Sequence, residues 1–141
     1  MTTTGERETP MTEAYGDAMT APFWEAAGRS LLLQRCDSCG AHQFYPRPFC
    51  LACDHDGLTW VPASGTGVVY SRTEVRVKVR PELVPPYTVA VVSLTEGPRM
   101  TTLVVGEDGE PGPACEIGDA VEVTWMPRAD APPLPVFRRS L

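Results

Sequence analysis

Apolar positions in the first third of the chain predict a short helix and then a strand. Apolar residues recur at helical spacing from Phe23 to Leu31, and Pro22 suits the first turn of a helix. This pattern predicts a helix over about 21–29, with Gly28 as its end. The apolar run LLLQR that follows predicts a strand that leads directly into the first cysteine.

In the second half of the chain the apolar period becomes two. Val75, Val77 and Val79 alternate with charged residues, which predicts a strand over 72–80 with one buried and one solvated face. The segment 87–94 (YTVAVVSL) is almost entirely apolar or β-branched, as is typical of a strand covered on both faces.

Three further strands are predicted towards the C-terminus. Residues 96–99 (EGPR) form a predicted turn, and 100–105 would return as the hairpin partner of the preceding strand. The segment 106–119 is dense in turn residues and predicts a loop. The alternating stretch 120–125 predicts the next strand, and 135–138 a last strand at the edge of the sheet.

These elements predict a mainly β fold with an N-terminal helix. Fifteen prolines and twelve glycines favour short strands and frequent turns, and about five strands suit a small barrel of the OB type, which periodicity alone does not distinguish from other small barrels. We divide the chain into a disordered tail (1–19), a helix and lead strand (20–35), a zinc ribbon (36–59) and an OB-fold domain (60–141).

Charge and hydropathy narrow the classes of function. The net charge of -6 disfavours sequence-independent binding to nucleic acid. No apolar run is long enough for a membrane span, and the N-terminus lacks the basic and apolar regions of a signal peptide. We therefore expect a cytoplasmic protein whose cysteines stay reduced, which favours metal ligands over disulfides.

Two Cys-x-x-Cys pairs carry the strongest chemical signal. Cys36 and Cys39 precede Cys50 and Cys53 with ten residues between the pairs, and Gly40 permits a tight turn after the first pair. Four thiolates satisfy a tetrahedral zinc ion and leave no open coordination position. The sequence therefore predicts one structural Zn²⁺.

Other interpretations of the cysteines stay open. Iron in a rubredoxin-like tetrathiolate would make the chain an electron carrier, and a redox-active Cys-x-x-Cys is a weaker alternative. His42 and His55 lie near the cysteines and would either replace a ligand or belong to loops. Cys115 has no partner in the sequence and is interpreted as a spare thiol.

Catalytic machinery is not evident from the sequence. Both histidines fall within the cysteine segment, and no nucleophile elbow, metalloprotease motif or phosphate-binding loop is present. Candidate contacts to a partner protein or to coenzyme A are Phe23, Trp24, Arg76, Lys78 and Arg80. Alternatively, Phe23 and Trp24 hold the helix against its own domain. The basic residues would then lie on a solvated strand face.

Six segments in order resemble the zinc-ribbon plus OB-fold family catalogued as domain of unknown function 35. They are APFWEAAGRSLLLQRCDSCG, YPRPFCLAC, WVPASGTGVVYSRTEV, YTVAVVSLTEGPRM, IGDAVEVTW and PVFRRSL, and together they cover about 20–141. The resemblance implies an N-terminal helical hairpin, a rubredoxin-like zinc ribbon and a C-terminal OB barrel, with zinc on the four paired cysteines.

The resemblance also implies a function. Members of the family act as accessory subunits of thiolase-like acyl-CoA enzymes, and some are paired with or fused to hot-dog hydratases. The implied function is a non-catalytic subunit that stabilises a thiolase-like partner and shapes its acyl-CoA channel. Examples are steroid side-chain degradation, which belongs to lipid metabolism, and aromatic degradation. The implied assembly is a heteromer, a two-plus-two heterotetramer if the partner is a dimer.

Two other classes of function remain as alternatives. A zinc-ribbon/OB protein that binds single-stranded nucleic acid would need stacked aromatics over a basic groove, and here the total charge has the wrong sign. A small iron-containing electron carrier would be coloured, whereas a zinc protein is colourless.

Overall fold

A computed structural model describes residues 16–106 and 115–140. Within them lie one short helix, α1 (Ala21–Glu25), and eight strands. The strands are β1 (Leu32–Cys36), β2 (His42–Gln43), β3 (Leu58–Pro62), β4 (Thr66–Val75), β5 (Tyr87–Leu94), β6 (Arg99–Val105), β7 (Ala120–Met126) and β8 (Leu134–Arg139).

The strands form two sheets. Strands β2, β1 and β3 make a small antiparallel sheet with β1 in the centre. Strands β4 to β8 close into a barrel in the order β4-β5-β6-β8-β7, in which β6 and β8 run parallel. This confirms the predicted mainly β fold with a short N-terminal helix, a cysteine ribbon and a five-stranded OB barrel.

One continuous apolar cluster joins the two sheets. Phe23, Leu31 and Leu33 from the N-terminal part are at most 2% exposed, and they belong to the same cluster as Val92 and Phe137 of the barrel. Alternate inward residues of the barrel strands fill the interior, as the period of two requires. The ribbon sheet is therefore fixed against the barrel by shared core packing.

Close packing between β4 and β5 explains the second glycine of the Gly-Thr-Gly segment (65–67). A Cβ on Gly67 would lie 2.6 Å from the backbone oxygen of Ser93 and 2.6 Å from Cγ1 of Val92, so only glycine fits between β4 and β5. The Thr66 and Thr95 hydroxyls hydrogen-bond at 2.6 Å, and this contact joins β4 to the β5–β6 turn.

Several predicted bounds are wrong, each for a physical reason. The helix ends at Glu25 rather than near 29, since tight turns from Ala26 to Gly28 bring the chain round to β1. The predicted strand 72–80 ends at Val75, which is paired with Tyr87 at the very start of β5, so the barrel has no partner for 76–80.

Three other strands differ from the prediction. The predicted edge strand at the C-terminus is β8, which pairs with both β6 and β7 and so closes the barrel. Strand β5 has one fully buried face and one of intermediate burial, and none of its residues is exposed. Strand β3 was not predicted, and the predicted domain boundary between 59 and 60 falls within it.

The N-terminal predictions are only partly covered by the structure. Most of the predicted disordered tail lies outside the described residues. Residues 16–20 form a bend and a turn, in which the Thr20 hydroxyl donates to the Asp17 carboxylate at 3.1 Å. The described residues contain one helix, and the chain before Gly16, on which the rest of the implied helical hairpin would fall, lies outside them. None of the described helices is long and apolar enough to span a membrane.

Candidate metal centre and adjoining cleft

The four paired cysteines converge at the end of the ribbon sheet. All four Sγ atoms lie within 4.8 Å of one another, with Cys36 to Cys53 at 3.6 Å and Cys39 to Cys50 at 3.7 Å. Zn–S bonds of about 2.3 Å in a tetrahedron place sulfur atoms about 3.8 Å apart, so the donor set fits one tetrathiolate-bound ion. The distances are far longer than a disulfide bond, and all four cysteines are free.

Each cysteine pair is folded into the same kind of turn. The amide of Gly40 donates to the Cys36 oxygen, and the amide of Asp54 donates to the Cys50 oxygen. Gly40 has φ +79° and Asp54 has φ +69°, so both occupy the left-handed region after the second cysteine of the pair. The amides of Ser38 and Ala52 donate to the Sγ atoms of Cys36 and Cys50, both at 3.3 Å. The two turns therefore aim amide dipoles at the sulfurs that would carry negative charge.

The surroundings of the thiols shift the pKa values of Cys36 and Cys53 in opposite directions. The pKa of Cys36 is lowered to about 6, chiefly by the amide of Cys39 and also by the amide of Ser38 and the thiols of Cys53 and Cys39, while burial acts in the opposite direction. The His55 amide lowers the pKa of Cys53, but the thiols of Cys36 and the other two cysteines, together with burial, outweigh it and raise the pKa to about 12. A bound cation would supply the positive charge that favours the thiolate form of all four ligands.

The two left-handed positions give a matched pair of predictions. Asp54→Gly is expected to stabilise the ribbon by about 0.5–1 kcal/mol, because glycine adopts positive φ without the Cβ penalty. Gly40→Ala is expected to destabilise it by about 1–2 kcal/mol. A Cβ at Gly40 would meet no atom within 4 Å, so the loss would report backbone strain alone. Chemical denaturation of the zinc-loaded protein measures both, and equal stability of the two variants would contradict this explanation.

Two buried glutamines connect the ribbon sheet to the segment between the cysteine pairs. Gln34 and Gln43 are 5% and 8% exposed, and the Gln43 side-chain amide donates to Gln34 Oε1 at 2.9 Å. Gln34 also accepts from the Arg47 amide at 2.9 Å and donates to the Arg47 oxygen at 3.0 Å. Gln43 donates to the Phe49 oxygen and accepts from the Leu51 amide. The two side chains thus satisfy backbone groups of Arg47, Phe49 and Leu51, in a segment that forms no strand.

The other candidate ligands do not join the site. Within the described residues, the cluster able to hold a metal consists of the four cysteines and includes neither His42 nor His55. Cys115 is buried in the barrel core, where burial raises the pKa of its thiol. Its role in the structure is that of a small apolar core residue.

A cleft of about 1150 Å³ is lined by residues of both the N-terminal part and the barrel. One wall carries aromatic side chains of α1 and of the residues after β2, and the floor is formed by β5 and β6. The loops after β4 and β7 complete it, and these correspond to the OB-fold surface that commonly binds ligands. The aromatic wall comprises Phe23, Trp24, Phe44 and Tyr45, and the charged lining residues are Arg80, Glu82, Arg128 and Asp130.

The structure places the predicted contact residues in different surroundings. Phe23 is 2% exposed, and its ring lies 4.9 Å from that of Trp24, so it acts mainly in packing. Trp24 and Arg80 line the cleft together. Arg76 and Lys78 lie on the exposed loop outside the cleft lining, where Arg76 pairs with Glu74 at 2.7 Å.

Sequence reasoning missed the glutamine pair and half of the aromatic wall. Gln34 continues the apolar run of β1, and Gln43 lies on the adjoining strand, so polar residues at inward positions were the available signal. Phe44 and Tyr45 follow β2 directly, and Arg128 extends its guanidinium over the Trp24 ring at 5.4 Å. These last contacts join segments distant in sequence, and no local pattern indicates them.

Two family models match consecutive parts of the chain. The model described as the rubredoxin-like zinc ribbon domain of ChsH2 matches residues 24–59. The model described as the C-terminal OB-fold domain of ChsH2 matches residues 60–126. The order of the two models is the order of the ribbon and the barrel in the structure.

Individual proteins give the same result. The chain is 40% identical over 118 residues to a probable enoyl-CoA hydratase alpha subunit of Thermomonospora curvata, and the match covers 82% of this chain but only 36% of that protein. It is 33% identical over 93 residues to a DUF35 domain-containing scaffold protein of Methanothermobacter thermautotrophicus, covering 64% of this chain and 68% of that protein.

A solved structure extends the similarity to nearly the whole described fold. A chain of the Ltp2-ChsH2(DUF35) aldolase superposes with a TM-score of 0.77 at 36% identity, covering 90% of this chain and 98% of that chain. The expected family is therefore confirmed. The chain belongs to the ChsH2/DUF35 family, in which a rubredoxin-like zinc ribbon is followed by an OB-fold domain.

Proposed function

We propose that this chain is an accessory subunit of a thiolase-like acyl-CoA enzyme and performs no catalysis by itself. The observation that carries the proposal is the similarity to the DUF35 chain of the Ltp2-ChsH2(DUF35) aldolase, which covers 98% of that chain at 36% identity. The partner would be a thiolase-like subunit of the Ltp2 type. The similarity to a protein described as a probable enoyl-CoA hydratase alpha subunit supports an association with acyl-CoA enzymes.

The chemistry of the two sites supports an accessory role. Four cysteine ligands around one zinc ion would leave no position for a substrate, so we propose a structural Zn²⁺. The carboxylates among the described residues of the cleft lining are Glu82 and Asp130, and Glu82 is paired with Arg80 at 3.4 Å. We propose that the cleft, with Trp24 and Arg80, helps to shape the path of acyl-CoA towards the partner.

The alternative of single-stranded nucleic-acid binding receives less support from the cleft. Aromatic rings and two arginines line the OB surface, as stacking on bases would need. Glu82 and Asp130 line it as well, and Arg80 pairs with Glu82 at 3.4 Å. The balanced charge offers little attraction to a polyanion.

Co-expression with thiolase-like proteins encoded near this gene tests the proposed function. We expect a stable complex, in a two-plus-two assembly with a dimeric partner, and retro-aldol cleavage or thiolysis of an acyl-CoA only when both chains are present. Light scattering gives the stoichiometry, and release of the acyl-CoA fragment gives the activity. A partner that is soluble and fully active without this chain would contradict the proposal, as would turnover of an acyl-CoA by this chain alone.

A further inference from the structure

We infer that residues 45–51, the ribbon loop, form an anchor that inserts into an apolar depression flanked by a carboxylate on the thiolase-like subunit. The inference rests on the proposed function, since it names the surface through which that partner is held. Its basis is the combination of three exposed apolar side chains, a rigid backbone and a single positive charge within one short loop.

Three of the seven side chains of the ribbon loop are apolar or aromatic and exposed. Tyr45 is 40% exposed, Phe49 43% and Leu51 58%. Aromatic side chains and arginine are enriched at the centres of protein interfaces, where they contribute most of the binding energy. Apolar side chains grouped in this way on a surface indicate an interaction site more strongly than isolated ones do.

The backbone of the ribbon loop is held in place before any partner binds. Gln34 accepts from the amide of Arg47, and Gln43 contacts both the Phe49 oxygen and the Leu51 amide, at 2.9 to 3.2 Å. Cys50, one of the four metal ligands, lies between Phe49 and Leu51. A loop already ordered in this way loses little conformational entropy on binding, which favours affinity.

The charge of the loop indicates which kind of surface would cover it. Arg47 is the only Lys, Arg, Asp or Glu residue between Gly40 and Cys53, although the whole chain carries -6. An apolar depression flanked by a carboxylate would match the ribbon loop. A second copy of this chain is a poorer occupant, because a symmetric contact centred on the loop would bring two Arg47 side chains together.

A matched pair of double variants tests the ribbon loop. Phe49→Thr with Leu51→Thr removes two of its exposed side chains. Val68→Thr with Ile117→Thr is the control, because these residues are 45% and 66% exposed on the barrel. The probe is the thiolase-like subunit that binds the wild-type chain. We expect the loop variant to weaken binding by about 100-fold, which is about 2.8 kcal/mol for the two side chains together, and the control by less than about threefold.

Charge reversal and cross-linking give independent results. Arg47→Glu is expected to weaken binding by about tenfold or more, and Arg47→Lys by less. A photoreactive phenylalanine at position 49 is expected to cross-link to the thiolase-like subunit, at a peptide that contains apolar residues and an acidic residue. This result does not depend on the stability of the threonine variants, whose metal content and melting temperature are measured alongside.

The outcomes separate the anchor from the proposed function. If the wild-type chain binds the thiolase-like subunit and the loop variant binds equally well, the anchor is overturned and the accessory role stands. If the control loses as much affinity as the loop variant, or the cross-link forms between two copies of this chain, the anchor is also overturned. If the wild-type chain binds no thiolase-like protein, the accessory role fails and the anchor fails with it.

Discussion

Removal of the metal is expected to unfold the ribbon while the barrel keeps its strands. Structural zinc contributes about 10–16 kcal/mol of apparent binding energy in small zinc modules, which matches or exceeds the whole stability of a typical domain. Leu31 and Leu33 pack towards the barrel, whereas farther along the ribbon the buried residues include two glutamines and two cysteine ligands. Without the cation the far half of the ribbon has little apolar burial to hold it together.

Hydrogen exchange measured by mass spectrometry before and after chelation distinguishes the two parts. We expect β1 and β3 near the cysteines to lose protection and β5 and β6 to keep most of theirs, with recovery when zinc is returned. Cys36→Ser or Cys50→Ser should reproduce the loss without a chelator. Metal affinity should fall as the pH is lowered, because the Cys53 thiol, whose pKa is raised to about 12, must lose its proton to bind.

Metal analysis of the same material tests the identity of the ion. Colourless protein with one zinc per chain is the expected result, and a coloured protein with iron would instead support an electron carrier. Identical exchange patterns with and without metal would show that the site contributes nothing to the fold, contrary to this prediction.

Phe137→Ala is expected to destabilise the barrel by about 3–5 kcal/mol, the usual cost of removing a buried aromatic side chain. Phe137 is 0% exposed and lies on β8, the strand that closes the barrel. It is paired with Val104 of β6 on one side and with Val123 of β7 on the other. The variant would therefore leave a cavity beside both the parallel and the antiparallel pairing of β8. Neighbouring residues could fill that cavity only by shifting one or both of these strand pairs.

Tyr70→Ala is the matched control for this aromatic truncation. Tyr70 is 52% exposed on β4, and its ring lies 3.7 Å below the Arg99 guanidinium, a contact worth about 0.5–1 kcal/mol at an exposed site. Denaturant titration of the metal-loaded protein gives both changes in free energy. Similar losses for the two variants would show that the Phe137 side chain stabilises the barrel no more than an exposed aromatic side chain does.

Local patterns predicted the parts of the fold whose neighbours are close in sequence. The β5–β6 hairpin lies within a few residues of its predicted bounds, because one turn and two apolar runs specify it. Strand β3 was missed because its burial is only intermediate and its partner β1 lies across the whole cysteine segment. The extension of the predicted strand through Val77 and Val79 was wrong, because alternation shows which residues suit a strand but not whether a partner strand reaches them.

The sequence by itself predicted the four candidate ligands, since two Cys-x-x-Cys pairs supply four thiols within one short segment, and the structure brings their sulfurs within 4.8 Å of one another. The sequence also determined that the chain is rich in short strands. Only the tertiary structure decided that β8 closes the barrel, that Gln34 and Gln43 hold the ribbon loop, and that Trp24 and Arg80 share one cleft. The physical reason is distance along the chain: metal ligation and strand period are properties of neighbouring residues, whereas these contacts form only when distant segments pack together.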